Sequence, residues 1–342
     1  MMTIDSDAHV IECERTWTYV DAAARELMPR VVSERDGNGA AKTYWMFEGR
    51  VHGQTNVGAN TPKESRELAD VEARLRHMDE LEIDVQVLYP SVFLRPLTTR
   101  PDVELALAQS YNRWLADIWS QGKNRLRWAV VMPTMSMDAT LDEVRRAREH
   151  GACAAFSCGI VRDMSLDNPY FYPLYETLSE LDMPLCIHAG NHSFLWEDLF
   201  ATEGGYSRAK LAVVSAFHSL VFHGIPARFP KLRIGFIEAA SQWVPGTIHD
   251  IARRMEKRTG QPFDRYGVLR QNRLYVTCQT DDDLPYVLKY AGDGNLIVGT
   301  DYGHNDTATE IEALRYFKTQ GEETAAAISK ILDDNARALY GL

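Results

Sequence analysis

The stretch TIDSDAHVIE, Thr3 to Glu12, places a carboxylate and an imidazole two residues apart near the start of the chain. Its pattern is that of a strand, and side chains two apart on a strand point to the same face. Asp7 and His9 are therefore aimed at one place. Two metal ligands or a structural Asp–His hydrogen bond would both explain such a pair, and this stretch alone leaves both open.

Three later apolar runs also end in residues able to bind a metal. His188 lies near the end of PLCIHAG, Glu238 lies near the end of RIGFIEA, and Asp301 ends NLIVGTD. Histidine and carboxylate together suit a divalent cation such as zinc, manganese or iron. Each residue has a structural alternative: a buried histidine with satisfied hydrogen bonds, a glutamate that supports a ligand histidine, or an aspartate that caps a helix. Five such residues at four strand ends favour a metal site.

Three further residues are interpreted as substrate-binding. Arg50, in FEGRVHG, would hold a second acidic group of a substrate, or it is a solvated loop arginine. His304, in DYGHND, belongs to the pocket or only shapes its loop. Trp243, in SQWVP, stacks on the substrate or packs in the core.

The elements that must position these residues are short apolar runs alternating with helical patterns. Near-continuous apolar strands between helices predict parallel β/α units. Eight units predict a closed (β/α)8 TIM barrel, whose chemistry lies at the carboxyl ends of the strands. An open doubly wound sheet is the alternative, but no glycine-rich dinucleotide fingerprint follows the first run. The eight predicted strands are 3–10, 85–91, 127–134, 154–160, 184–190, 233–239, 273–279 and 295–301.

Residues 11 to about 70 interrupt this rhythm. The segment is rich in glycine, asparagine and charge and has no strong periodicity. Such long insertions are more often functional lids than plain connections. We therefore predict a single domain spanning 1–342 with a lid insertion at about 30–70.

Composition restricts the partners. The chain has 342 residues, 45% of them hydrophobic, and a formal net charge of −11. This charge argues against nucleic acid or an anionic membrane surface as the main partner and leaves a small molecule. The five cysteines are odd in number and lack zinc-ribbon spacing, which fits a reducing compartment. With no apolar signal segment or run of membrane-spanning length, we expect a cytoplasmic protein.

Five segments of the sequence carry a resemblance to a known family: DSDAHVIE, RLRHMDELEIDVQVLYPS, PLYETLSELDMPLCIHAG, RFPKLRIGFIEAASQWVP and NLIVGTDYGHND. They resemble the amidohydrolase superfamily, in the branch that contains aminocarboxymuconate-semialdehyde decarboxylase and the dihydroxybenzoate-type decarboxylases. The resemblance runs from residue 3 to about 306. It implies a TIM barrel with one catalytic divalent metal ion, zinc first and manganese or iron as alternatives, and a homodimer or higher homo-oligomer.

The resemblance also implies roles for individual residues. It implies metal ligation by Asp7, His9, His188 and Asp301, and it marks Asp301 as the acid/base. The chain departs from the family pattern where Asp7 replaces the first histidine of a His-x-His motif. It departs again at Glu238, where the well-known decarboxylases carry a histidine, and at Gly303, where a proline is usual.

The function that the resemblance implies for these residues is a metal-dependent decarboxylase of an aromatic or unsaturated carboxylic acid. Asp301, His188 and Glu238 are its predicted catalytic residues. The same ligands would serve a hydrolase that activates water to attack an amide, a lactone or a C–C bond. A hydratase and a barrel that has lost its metal are further alternatives.

Overall fold

The computed structural model of the chain describes residues 2–35, 41–53, 56–203, 205–319 and 325–342, with the backbone alone at 33–35, 41–43, 50 and 52–53. We number its strands in chain order. They are β1 Ile4–His9, β2 Arg30–Arg35, β3 Ala41–Phe47, β4 Arg50–Gly53, β5 Val85–Tyr89, β6 Leu126–Val131, β7 Ala152–Cys158, β8 Ile160–Val161, β9 Met164–Ser165, β10 Leu185–His188, β11 Ile234–Ile237, β12 Leu274–Cys278 and β13 Leu296–Val298.

Eight of these strands form one parallel sheet in the order β1-β5-β6-β7-β10-β11-β12-β13. Nearly every residue in these strands is buried, as happens when helices cover one face and side chains fill the other. The sheet closes on itself just beyond β13, where the Asp301 N–H donates to the Asp7 carbonyl at 2.8 Å and the His9 N–H donates to the Tyr302 carbonyl at 2.8 Å. The predicted (β/α)8 barrel is confirmed, and all eight predicted strands overlap a barrel strand.

Helices connect the barrel strands on the outside. Two of them, α3 (Pro101–Gln121) and α5 (Tyr172–Glu180), coincide with amphipathic patterns in the sequence. Helix α3 starts with a proline in its first turn, where the missing N–H costs nothing. The α-helices are α1 Lys63–Arg66, α2 Val71–Glu80, α3 Pro101–Gln121, α4 Met137–Glu149, α5 Tyr172–Glu180, α6 Phe194–Leu199, α7 Leu211–Phe222, α8 Ile225–Arg228, α9 Trp243–Thr259, α10 Val268–Asn272, α11 Leu284–Ala291, α12 Ala313–Lys318, α13 Ala325–Ser329 and α14 Asn335–Tyr340. Among the described residues, no helix has the length and apolar character needed to cross a membrane.

The insertion after β1 contains structure that its sequence pattern did not reveal. Strands β2, β3 and β4 form a separate antiparallel sheet. Trp45 and Phe47 of this sheet pack edge-to-face on Trp17, with ring centroids 5.9 and 6.2 Å apart. At the β3–β4 turn, Glu48 accepts a hydrogen bond from the Thr98 hydroxyl. The small sheet is thus attached to the loop that follows β5, while its role as a lid stays a prediction.

Candidate metal centre

The barrel brings the predicted ligands together at the carboxyl ends of its strands. Asp7 and His9 come from β1, His188 ends β10, Glu238 follows β11, and Asp301 lies in the loop after β13. All five are buried, the most exposed being Glu238 at 8%. His304, three residues after Asp301, is also buried and joins them.

The donor atoms of these six residues form two overlapping sets. Within each set all atoms lie within 4.8 Å of one another. The sets share His9 and Glu238; Asp7 and His188 complete the first, and Asp301 and His304 complete the second. Glu238, predicted as a catalytic residue, thus also stands among the candidate ligands, and His304 belongs to the cluster rather than to an outer pocket wall.

The tautomers of two histidines follow from their hydrogen bonds. His9 Nδ1 lies 3.0 Å from the Pro90 carbonyl and His188 Nδ1 lies 2.9 Å from the Ala189 carbonyl. A carbonyl only accepts, so both protons are on Nδ1 and both Nε2 atoms present lone pairs. These Nε2 atoms are 3.1 Å apart. Two lone pairs facing each other at this distance need a cation between them, and carbonyl bonds of this kind commonly orient metal-binding histidines.

Three further atoms of the cluster are buried without a hydrogen-bond partner: Glu238 Oε2, Asp301 Oδ1 and His304 Nδ1. Buried polar atoms are normally satisfied, so three unsatisfied ones at one place indicate a missing partner.

The spacing of the donor atoms tests whether that partner is a metal ion. Two bonds of about 2.1 Å that meet at 90–109° separate the ligand atoms by roughly 3.0–3.4 Å. His188 Nε2 lies 3.1 Å from Asp7 Oδ1 and 3.2 Å from Glu238 Oε2. His9 Nε2 lies 3.4 Å from Asp301 Oδ1 and 3.7 Å from Glu238 Oε2. Three of these four separations lie in the expected range, and the fourth exceeds it by about 0.3 Å. The residues present therefore fit a divalent cation in their number and type, and in most of their spacing.

Burial and neighbouring charges shift the pKa values of the cluster in opposite directions. Burial by itself would raise the pKa of Asp7, but His188 and His9 beside it hold this pKa below its usual range. Burial would lower the pKa of His188, yet the charges of Glu238 and Asp7 raise it. Burial, reinforced by the charge of Asp301, raises the pKa of Glu238 well above its usual value. The site therefore contains one carboxyl group with a lowered pKa, that of Asp7, and one with a raised pKa, that of Glu238.

Strained backbone accompanies the two carboxyl groups that follow strands. Glu238 has a φ of 62° and Asp301 a φ of 51°. This left-handed conformation costs of order 1–2 kcal/mol in a residue with a side chain. It persists only where the surroundings enforce it, which is frequent at functional sites.

A buried polar network beneath the site was missed by the sequence analysis. The Asp5 carboxylate accepts hydrogen bonds from Gln86 Nε2 at 2.8 Å and from the Thr300 N–H at 2.9 Å. Arg74 donates to Gln86 Oε1 at 2.7 Å and to the His9 carbonyl at 3.2 Å. Burial raises the pKa of Asp5 to about 6. The network ties β1, β5 and the end of β13 together, and its one sequence signal was a third polar residue in the Asp5–Asp7–His9 alternation.

Of the other two predicted substrate-binding residues, Trp243 is not brought to the cluster, and Arg50 is described by its backbone alone. The backbone of Arg50 begins β4, but its side chain lies outside the described residues. Trp243 begins α9, and its ring packs against Phe217 and Phe236 with centroids 5.1 and 6.2 Å away. Its Nε1–H donates to the Ala240 carbonyl at 2.8 Å. These contacts are those of a packing residue.

A cavity of about 460 Å³ opens at the same end of the barrel. It is lined by residues that follow β5, β6, β7 and β10, among them Phe93, Thr134, Arg162 and His192. The donor atoms of the cluster are not part of its lining. The end of the barrel that carries the cluster thus contains space for a small molecule, near the loop that follows His188 at the end of β10.

Comparison with known proteins decides the family. The model of the family described as Amidohydrolase matches residues 4–342. The chain belongs to the amidohydrolase family. The family predicted from the five sequence segments is confirmed.

Individual relatives of this amidohydrolase-family chain are distant. The 2-amino-3-carboxymuconate-6-semialdehyde decarboxylase of Dictyostelium discoideum is 22% identical over 287 residues, which cover 80% of this chain and 77% of the relative. An amidohydrolase from Mycobacterium avium subsp. paratuberculosis K-10 superposes with a TM-score of 0.79 at 20% identity, covering 100% of this chain and 98% of the other. The 5-carboxyvanillate decarboxylase of Novosphingobium aromaticivorans DSM 12444, solved with manganese and 4-hydroxy-3-methoxy-5-nitrobenzoic acid, superposes with a TM-score of 0.72 at 18% identity, covering 100% and 96%. At these identities the solved structures establish a shared fold.

Proposed function

We propose that this chain is a metal-dependent decarboxylase, a non-oxidative C–C lyase, that acts on an aromatic or unsaturated carboxylic acid. The observation that carries the proposal is the convergence of buried lone pairs at the strand ends, which requires a cation. The names of two relatives support decarboxylation, since one is a carboxymuconate-semialdehyde decarboxylase and the other a carboxyvanillate decarboxylase. Hydrolysis does not appear in either name.

Asp7, His9, His188 and Asp301 would hold the metal ion, as the sequence predicted. Bound there, a divalent cation would orient an anionic substrate and stabilise the negative charge that develops in the reaction. Zinc is our first choice, and manganese is the ion bound to the carboxyvanillate decarboxylase relative. The homodimer and the cytoplasmic location stay predictions from the sequence.

Glu238 and Asp301 would handle the proton. Asp301 Oδ2 accepts a hydrogen bond from the Thr309 hydroxyl at 2.6 Å. Glu238 Oε2 has no such donor, and burial near another carboxylate favours its protonated form. When the C–C bond to the carboxylate breaks, its electron pair stays on the substrate carbon. Glu238 would give its proton to that carbon, CO2 would leave, and the Glu238 carboxylate would regain a proton from solvent before the next turnover. Asp301, which the sequence resemblance marks as the acid/base, is the alternative donor of the proton to carbon.

The substrate would occupy the barrel mouth beside these groups. Arg50 remains our proposed anchor for a second acidic group, and Tyr44 of the insertion is our proposed aromatic contact. Trp45 and Phe47 are buried against Trp17, so they pack the insertion rather than offer surface to a substrate. Burial of the whole cluster would keep bulk water from the reacting carbon.

One observation favours a hydrolase as a second candidate. Glu238 replaces the histidine of the well-known decarboxylases with a carboxyl group beside His188, 3.2 Å from its Nε2. In that reading Asp301 acts as a general base towards a water molecule and later protonates the leaving group. The same residues would then cleave an amide, a lactone or a C–C bond.

A substrate panel separates the two candidates. Zinc- or manganese-loaded protein is incubated with hydroxybenzoic acids, carboxylated hydroxybenzoates and unsaturated dicarboxylic acids, and separately with lactones and amides. CO2 release, deuterium uptake at carbon in D2O, and hydrolysis are followed. We expect CO2 release that is lost in His188→Ala and kept in His218→Ala, a surface histidine variant. Turnover of lactones or amides without any CO2 release would replace the decarboxylase by the hydrolase. A wild-type protein that binds neither metal would overturn both.

A further inference from the structure

The loop after β13 contributes a second residue to the cluster besides Asp301. The imidazole of His304 is buried and stacks on that of His9, with centroids 3.7 Å apart and an interplanar angle of 27°. Its Nδ1 lies 2.7 Å from Asp301 Oδ1. Neither atom has a hydrogen-bond partner, so their short separation is not explained by a proton between them.

Ser91 determines where the single proton of a neutral His304 resides. The Ser91 hydroxyl has one proton, and it donates this proton to the Val10 carbonyl at 2.7 Å. The same oxygen lies 2.8 Å from His304 Nε2. Because the hydroxyl proton is already used, Ser91 accepts here and Nε2 carries the imidazole proton. Nδ1 therefore presents a lone pair to the cluster.

A lone pair and a carboxylate oxygen repel each other at 2.7 Å unless both bind one cation. This separation is about 0.3 Å shorter than two ligands of one ion usually have, so the two atoms would move slightly apart as they bind it. A doubly protonated imidazole would instead make an N–H···O hydrogen bond, whose geometry this pair lacks. We propose that His304 binds the metal ion through Nδ1, as a ligand additional to Asp7, His9, His188 and Asp301. This inference rests on the proposed function, because it concerns the same metal ion.

The insertion after β1 also contacts this ligand loop. The Gly58 N–H donates to the Gly303 carbonyl at 2.8 Å. A Cβ on Gly58 would lie 2.2 Å from the His304 carbonyl oxygen, so only glycine allows this approach. Asn56 accepts from the Asn305 N–H at 2.9 Å and donates to Asp306 Oδ2 at 2.7 Å. The insertion thereby fixes the metal ligand His304 in place, which links the predicted lid to metal binding.

The test compares two substitutions that mimic different ring nitrogens. His304→Gln reaches towards the Nε2 position and keeps the Ser91 contact, but it offers no donor at Nδ1. His304→Asn places an amide oxygen near Nδ1 and keeps a weaker ligand. The zinc dissociation constant is measured by competition with a chelator, and the Co²⁺-substituted protein is recorded in the visible range. His218→Gln is the matched control, because its imidazole contacts Asp250 at the surface, 3.1 Å away.

We expect His304→Gln to lose zinc affinity by at least about 100-fold, the upper end of what removing a supporting group costs, and to change the Co²⁺ spectrum. His304→Asn should retain more affinity than His304→Gln, and Ser91→Ala, which frees the tautomer, should lose roughly 10-fold. Wild-type affinity and an unchanged spectrum in folded His304→Gln would overturn this inference and leave the proposed function standing. A wild-type protein that binds no zinc or manganese would overturn both. If His304→Gln does not fold, the Asn and Ser91 variants decide: full affinity in both overturns the inference.

Discussion

Glu238 is the residue whose proton matters most for the proposed reaction. It lies beside His188 and belongs to both donor sets, and burial raises its pKa well above the usual value. Glu238→Gln preserves shape and an oxygen donor but removes the transferable proton. With the acid found to release CO2, we expect kcat to fall by about 10²–10⁴-fold, the usual contribution of general acid catalysis. Metal content, measured by elemental analysis, should stay near that of the wild type. A kcat within a few-fold of the wild type would show that another group donates the proton.

Glu12 offers a test of burial at a single residue outside the donor set. Its carboxylate accepts from the N–H groups of Ser91 and Val92 at 3.0 and 3.1 Å, and burial raises its pKa from 4.5 to about 7. Between these values the folded state binds more protons than the unfolded state, so the free energy of unfolding falls as the pH rises through this window. Glu12→Gln lacks this titration.

For Glu12→Gln we expect its free energy of unfolding, relative to the wild type, to improve between pH 5 and pH 8 by up to about 3 kcal/mol. Urea unfolding of the chelator-treated proteins at both pH values measures it. The other titrating groups are common to both proteins and cancel in the difference. A difference independent of pH would show that Glu12 is ionised throughout.

At the scale of elements, the junction between β13 and β1 closes the barrel and positions Asp7. A Cβ on Gly299 would lie 2.1 Å from Asp7 Cβ and 2.8 Å from the Asp7 nitrogen. Since backbone atoms cannot yield as a flexible side chain would, Gly299→Ala must push the two strands apart. We expect a loss of about 1–3 kcal/mol or more in the free energy of unfolding, together with weaker metal binding. Gly246→Ala is the matched control, because Gly246 lies within α9 with nothing near its Cβ position. Alanine should stabilise that helix by about 0.5–1 kcal/mol. Equal effects of the two substitutions on stability and metal affinity would contradict the packing argument.

The barrel strands were predictable because each is a short apolar run, and such a run by itself predicts a buried strand. The candidate ligands were predictable because they lie at the ends of those runs. The insertion was not, since β2–β4 is held by partners far along the chain, such as Trp17 and Thr98, that no local pattern announces. His304 and Ser91 show the same limit. Their contact joins residues 213 positions apart, so the ring tautomer that makes His304 a ligand appears only once the barrel has closed. That Glu238 belongs to both donor sets likewise follows from the three-dimensional positions of the donor atoms, and the spacing of residues in the sequence does not show it.

At the scale of the whole molecule, the centre couples four barrel strands through charge. Without a cation, the carboxyl groups of Asp7, Glu238 and Asp301 and the lone pairs of His9 and His188 converge unneutralised in a buried space. An ion that binds only the folded chain stabilises it by mass action, by about 2.7 kcal/mol at a free concentration 100 times the dissociation constant. For a chain of this size we expect zinc or manganese to raise Tm by about 4 °C over chelator-treated protein. Thermal unfolding followed by circular dichroism measures the shift. His188→Ala should lose most of this Tm shift, because it removes a central donor. The control His218→Ala should keep the whole shift, because His218 lies outside the donor sets. A metal-induced shift of the same size in His188→Ala would place the stabilising ion elsewhere in the molecule, and no shift in the wild type would contradict the metal centre itself.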